Sequence, residues 1–167
     1  NAEIDLLVGE MTDGKNGVHT YEKLRYNGYF LHEKTAPAGF LKDDSYYYFE
    51  IRVDGEVVTV ENEAGVGFIN QAIKGNVEIT KVDAEFTDTK LDGAVFKIYT
   101  DTNANGEYDT EDKFVTELVG KDGIYRAVGV RYGDYFLIEE TAPESFLADT
   151  TVFKFEIRND GETVTIA

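Results

Sequence analysis

The chain has 167 residues with 42% hydrophobic content, including 11 Tyr and 11 Phe, enough to build cores for one or two small domains and to exclude wholesale disorder. Its 33 acidic against 16 basic residues give a formal net charge of −17, which disfavours nucleic-acid and anionic membrane-surface partners. No apolar run approaches the ~18 residues of a membrane helix, and the absence of cysteine removes disulfides, thiolate metal sites and a cysteine nucleophile.

Apolar and polar residues alternate with a period of two along most of the chain. Tyr29, Leu31 and Glu33 share one face of the first such stretch, and Phe30, His32 and Lys34 the other. His32 and Lys34 seek water, so the Glu33 face is expected to point inward. Asn70 shares its face with Val66 and Phe68. Strands are then predicted over 76–83, 93–100, 113–119, 124–130, 133–140 and 150–158, with a short extra one over 162–166. Lys81 falls on the side of Val77 and Ile79, and Glu139 on the side of Tyr135 and Leu137. Asp-Gly pairs at 13–14, 54–55, 92–93, 122–123 and 160–161 predict turns with positive φ. No segment carries a helical stripe, and the pattern is that of an all-β sandwich.

The chain also repeats itself. Aligning Pro37 with Pro143, the only two prolines, sets an offset of 106 residues. Arg25-Tyr26 then falls on Arg131-Tyr132, Tyr29-Phe30-Leu31 on Tyr135-Phe136-Leu137, and Glu33 on Glu139. Thr35-Ala36, Phe49-Glu50-Ile51-Arg52 and Asp54-Gly55-Glu56 find identical residues at Thr141-Ala142, Phe155-Glu156-Ile157-Arg158 and Asp160-Gly161-Glu162. The first copy has no counterpart of residues 76–100, and the second has none of Gly65–Asn70. Two tandem modules are therefore expected, 1–72 and 73–167, the first lacking its N-terminal strands and the second its last strand.

Burying Lys81, Glu33, Glu139 and Asn70 among aromatics has a cost, because a lone buried charge is expensive or neutralises. Two ordinary accounts stand beside a functional one: a shifted register that leaves these residues at exposed strand edges, or a plain buried Lys–Glu pair.

The stretch Val77-Glu78-Ile79-Thr80-Lys81-Val82-Asp83 followed by Leu91-Asp92-Gly93-Ala94-Val95-Phe96 resembles the opening of Cna B-type (SpaA-like, prealbumin-like) modules. Tyr135-Phe136-Leu137-Ile138-Glu139-Glu140-Thr141-Ala142-Pro143 is similar to that family's glutamate strand and turn, and Phe68-Ile69-Asn70 to its closing strand. The resemblance implies tandem Ig-like, prealbumin-like antiparallel sandwiches that form stalks of Gram-positive surface adhesins and pili. It also implies an extracellular, wall-anchored location, with neighbouring modules as partners, and a spontaneous Lys–Asn or Lys–Asp isopeptide bond promoted by the glutamate. By position, Lys81 becomes the amine donor and Glu139 the promoter of the second module, with Glu33 promoter and Asn70 acceptor in the first. Neither lysine nor asparagine has its partner strand within the chain, so two unlinked half-sites are expected unless another chain donates a strand. A Cys-free module gains from such a bond, since joining distant strands restricts the unfolded chain much as a long-loop disulfide contributes ~4 kcal/mol.

The segment from Asp101 to Asp112 spaces oxygen ligands as a calcium loop does: Asp101, Asn103, Asn105, Asp109 and Asp112 supply side chains, and Glu107 its backbone carbonyl. Gly106 stands where the sharp turn falls. Strand-like flanks make it something other than an EF-hand, and an ordinary solvated acidic turn is the alternative to a calcium site.

The leading functional expectation is a non-enzymatic stalk module. An adhesive module binding a host or extracellular ligand is the alternative, with Tyr46 and Tyr48 as exposed candidates. A hydrolase has little behind it: His19 and His32 are the only histidines and no Gly-x-Ser-x-Gly occurs. A glycosidase pair fails as well, because Glu139 and Glu140 alternate to opposite faces.

Overall fold

Short runs rich in Tyr, Phe, Val and Ile, broken by Asp-Gly and Asn-Asp-Gly turns, favour strands throughout. The computed structural model describes residues 5–11, 14–62, 65 and 67–166. Among these residues ten strands form: β1 (Asn27–His32), β2 (Tyr46–Ile51), β3 (Lys74–Thr80), β4 (Val95–Thr100), β5 (Lys113–Glu117), β6 (Val119–Lys121), β7 (Ile124–Arg131), β8 (Gly133–Thr141), β9 (Phe153–Ile157) and β10 (Thr163–Ile166). The chain is all-β, with no helix among the described residues.

By contacts the chain forms two compact units. One takes the described residues up to Glu33 together with Asp43–Ile69; the other takes Lys34–Lys42 and the chain from Asn70 onward. The first unit is built on the antiparallel β1–β2 pair, in which Tyr29 lies opposite Phe49 and stacks on it at 5.5 Å. Phe68 packs against Tyr47 at 4.4 Å.

The second unit holds two four-stranded sheets, β10-β3-β7-β6 and β5-β4-β8-β9. Every buried hydrophobic residue among those described lies here; Val77, Phe96, Ile98, Tyr125, Leu137 and Ile157 have almost no exposure. Each such side chain contributes about 1.5–3 kcal/mol by leaving water. Tyr125 keeps its hydroxyl satisfied in the core, donating to Leu91 O at 2.9 Å and accepting from Ala94 N at 3.0 Å.

Several predicted elements are redrawn by pairing. The strand expected over 113–119 is two strands in different sheets, β5 on β4 and β6 on β7, because Leu118 turns into the core and its N–H donates to Phe96 O. The strand expected over 76–83 ends at Thr80, since Lys81 N donates to Gly123 O and Lys81 O accepts from Leu91 N. Asp122 and Gly123, both at positive φ, close the two-residue β6–β7 hairpin as the sequence predicts. Asp92-Gly93 does not form a turn; the Asp92 carboxylate accepts from Gly123 N at 2.8 Å and ties two loops together. Asp13 and Val66 lie outside the described residues.

β10, expected only as a short extra strand, runs parallel to β3, with Thr163 opposite Asn76 and Ile166 opposite Ile79. The sheet is therefore mixed rather than purely antiparallel. The physical cause is the turn after β9, where Gly161 N donates to Lys74 O and Asn76 N to Glu162 O. Those bonds deliver the chain from one sheet to the edge of the other, heading in the direction of β3.

Candidate site around Lys81 and Glu139

β8 alternates so that Tyr135, Leu137 and Glu139 face the core and Glu140 faces out. Phe136 is buried as well, on the outer face, because Tyr108 of the 101–112 loop covers it edge-on at 5.9 Å. Glu139 is the one buried charged residue among those described, its side chain 1% exposed. Lys81 Nζ donates to Glu139 Oε2 at 3.0 Å, and Asp149 N donates to the same oxygen at 2.7 Å. Glu139 Oε1 is buried with no hydrogen-bond partner, a costly state for a carboxyl oxygen. Lys81 keeps its side chain 19% exposed, so the amine sits at the mouth of the core rather than sealed inside it. On the outer face Lys97 pairs with Glu140, which raises the lysine's affinity for its proton and keeps the neighbouring carboxylate out of the site.

The first copy reproduces the framework around the glutamate. Glu33 Oε2 accepts from Asp43 N at 2.8 Å, as Glu139 does from Asp149 N. Asp43 Oδ1 accepts from Ser45 N, and Asp149 Oδ1 from Thr151 N, both at 2.9 Å. Tyr29 and Tyr135 each donate a 2.8 Å hydrogen bond to the carbonyl four residues back, at Arg25 and Arg131. Arg52 lies 4.8 Å over Tyr26 and Arg158 4.9 Å over Tyr132. The facing argument does not reach Asp43 and Asp149; their alignment at the 106-residue offset is the signal that could have found them.

Asn70 is half-buried and donates from Nδ2 to Leu41 O at 3.1 Å. Phe68–Asn70, expected as a closing strand, belongs to no strand. The chain there turns its backbone bonds to the 39–41 segment: Leu41 N donates to Gln71 O at 2.8 Å and Ile73 N to Gly39 O at 2.9 Å. Glu33 and Asn70 fall in different compact units.

In the acidic loop, Asp101 carboxylate oxygens accept from Asn105 N and Gly106 N, and Asn103 and Asn105 side-chain oxygens accept from Asn105 N and Glu107 N. Asn103 and Asn105 turn their Nδ2 groups to Asp109 Oδ2 at 3.1 and 2.8 Å, and Asp112 accepts from Thr102 N and Asp109 N. Among the described residues no group of three or more His, Asp or Glu side chains is gathered as a metal centre.

With this geometry in place, the chain belongs to the SpaA prealbumin-like fold domain family, whose model matches residues 1–64 and 75–167. Among solved structures it is similar to the Bacillus anthracis TIE protein, 29% identical, covering 93% of this chain and 27% of that one, with a TM-score of 0.76. It is also similar to a streptococcal ancillary pilin (31% identical, 85% of this chain and 42% of that one, TM-score 0.41). A third is BcpA, the major pilin subunit of Bacillus cereus (23% identical, 64% and 34%, TM-score 0.44). The chain thus spans less than half of each of these proteins. No curated protein matches it, and no helix among the described residues is long and apolar enough to cross a membrane.

Proposed function

We propose that the chain is a non-enzymatic stalk segment of a Gram-positive surface adhesin or pilus protein, outside the cell and held to the wall through other parts of its protein. Its two modules, 1–72 and 73–167, have neighbouring repeat modules of the same protein as partners, and the second is set for a Lys–Asn isopeptide bond. The observation that carries this reading is the buried Glu139 carboxyl, holding Lys81 Nζ at 3.0 Å while its other oxygen is unpaired. An acceptor carboxamide of the Asn70 kind, delivered beside Lys81, fills that unpaired valence.

The chemistry follows from proximity. Lys81 Nζ, having passed a proton to Glu139, attacks the carboxamide carbon while the protonated carboxyl polarises the carbonyl. The new C–N bond forms, the old one breaks, and the amide nitrogen leaves as ammonia with the proton returned by Glu139, whose carboxylate then takes the proton shed by the Lys81 nitrogen. Contact supplies the effective concentration, so a single turnover is enough. Glu33 takes the promoter role in the first module and Asn70 the acceptor role.

The test is to append residues 62–73 after Ala167, which places an Asn70 equivalent where the repeat offset puts it. Intact mass spectrometry is expected to find a product lighter by one ammonia, and Lys81→Arg or Glu139→Gln to keep full mass. Full mass in the parent protein as well, with native folding, overturns the reading.

The acidic loop we read as a calcium site of modest affinity. Its donors are all oxygens, as a hard cation prefers; binding requires the Asn103 and Asn105 amides to turn their oxygens toward Asp109. Adhesion is the second reading, favoured by the exposed Phe30, Tyr46 and Tyr48, which are 56%, 59% and 55% accessible.

A further inference from the structure

On β2, Tyr46, Tyr48 and Glu50 point to one side of the sheet, and the two tyrosines are 59% and 55% exposed. Each ring is held in place. His32 stacks on Tyr46 at 4.3 Å with an interplanar angle of 7°, its Nδ1 donating to Ser45 O at 3.1 Å. Tyr48 reaches across the neighbouring strand over Gly28, where an added Cβ would meet its hydroxyl oxygen at 2.4 Å. That hydroxyl donates to Glu50 Oε1 at 2.6 Å. Arg52 closes the row: it donates to the two Glu50 oxygens at 2.9 and 2.6 Å and lies over the Tyr26 ring at 4.8 Å.

The second copy shows which of these groups the fold requires. At the 106-residue offset Tyr46, Tyr48 and Gly28 become Val152, Lys154 and Asp134, while Glu50 and Arg52 recur as Glu156 and Arg158. There β9 belongs to a four-stranded sheet, yet Val152 is 37% exposed and Lys154 and Glu156 face water. This side of the strand is therefore open to solvent in a module whose sheet is built, and the strand pairs without rings on it. Phe30 differs, because its counterpart Phe136 is covered by Tyr108; it is no part of the site.

Charge and shape select the ligand. Glu50 and Arg52 neutralise each other, and the net charge of −17 repels acidic polymers, so the complementary partner is uncharged. Rings laid along a sheet offer their electron-rich faces to C–H groups. Two of the five Arg52 N–H groups are spent on Glu50, and the guanidinium keeps others for hydroxyl oxygens while Glu50 accepts hydroxyl protons. We propose that Tyr46 and Tyr48 are a binding platform for a neutral oligosaccharide, which runs along β2 with its apolar sugar faces on the rings and its hydroxyls on Glu50 and Arg52. The proposal rests on the adhesive reading and gives it a ligand class.

The experiment titrates cellotetraose, mannotetraose and chitotetraose onto the isotopically labelled full chain, followed by NMR of amides and tyrosine rings. Saturable shifts are expected at Tyr46, Tyr48 and Arg52 with at least one of the three sugars, and none at Val152–Glu156. Tyr46→Val and Tyr48→Lys, the residues that the same backbone bears in the second copy, each weaken binding about tenfold. Unchanged Tyr29 and Phe49 resonances show that the β1–β2 pair persists in both variants. No saturable shift with any sugar, or shifts that neither substitution weakens, overturns the proposal. Decaproline is the rival ligand: if it shifts these residues and the sugars do not, the glycan assignment falls and adhesion stands. If neither sugars nor decaproline shift Phe30, Tyr46 or Tyr48, the adhesive reading of this face falls with it.

Discussion

Glu33 and Glu139 occupy one position in two copies of one pattern, and each takes a backbone N–H from the aspartate ten residues on. Their surroundings differ. Glu139 lies between two four-stranded sheets with β3 bringing Lys81 to it, whereas Glu33 follows a two-stranded pair and stays half-buried. The same contrast separates Phe136, 1% exposed under Tyr108, from Phe30, 56% exposed. Local hydrogen bonds and aromatic stacks are thus set by nearby sequence, while burial depends on strands far along the chain. A two-stranded ladder has too little apolar area behind it to bury a carboxyl.

The phenylalanines carry the largest expected difference between the copies. Phe136→Ala is expected to cost about 3–5 kcal/mol, and Phe30→Ala under about 1 kcal/mol, measured by chemical denaturation. Similar losses at both sites break the claim that the copies differ in burial.

The next largest effect falls on the glutamates. Glu139→Ala removes the partner of Lys81 and of Asp149 N, for about 2–3 kcal/mol; Glu33→Ala removes the bond from Asp43 N, for about 1 kcal/mol. Denaturation midpoints check the difference, and a larger loss for Glu33 reverses the assignment of the better-built site.

Calcium tests the acidic loop of the second copy, residues 101–112. Calcium at ten times its dissociation constant adds about 1.4 kcal/mol. The melting temperature is expected to rise by a few degrees and to fall back with chelator; Asp101→Ala abolishes the response. A flat melting temperature leaves the loop as an acidic turn.

The smallest effect is in acid, where the copies should behave alike. Hydrogen bonds from the Ser45 and Tyr47 side chains hold the Asp43 carboxyl below its ordinary 3.8, and those from Thr151 do the same for Asp149. A depressed value means that this stabilisation is present above the unfolded value and lost as pH falls through the folded one. The Ser45 and Thr151 amide resonances are therefore expected to keep native positions at pH 5 and move together only below about pH 3.8. Separate transitions would show that the duplicated turn is not one structure.

The sequence by itself determined the duplication, the all-β class, the inward side of Glu139 and most strands of the second copy. These follow from period-two alternation and from identities at one offset, both of which are local or self-referential. It also carried Lys81 and Glu139 to the same side of their strands. Only the tertiary structure decided that β3 and β8, from opposite sheets, put those two groups 3.0 Å apart. It likewise decided that Leu118 splits one predicted strand into two, that β10 runs parallel to β3, and that Asn70–Ile73 spends its backbone on the turn at Gly39–Leu41. Each of these depends on which distant segment supplies a hydrogen-bond partner, and alternation along a strand carries no information about that choice.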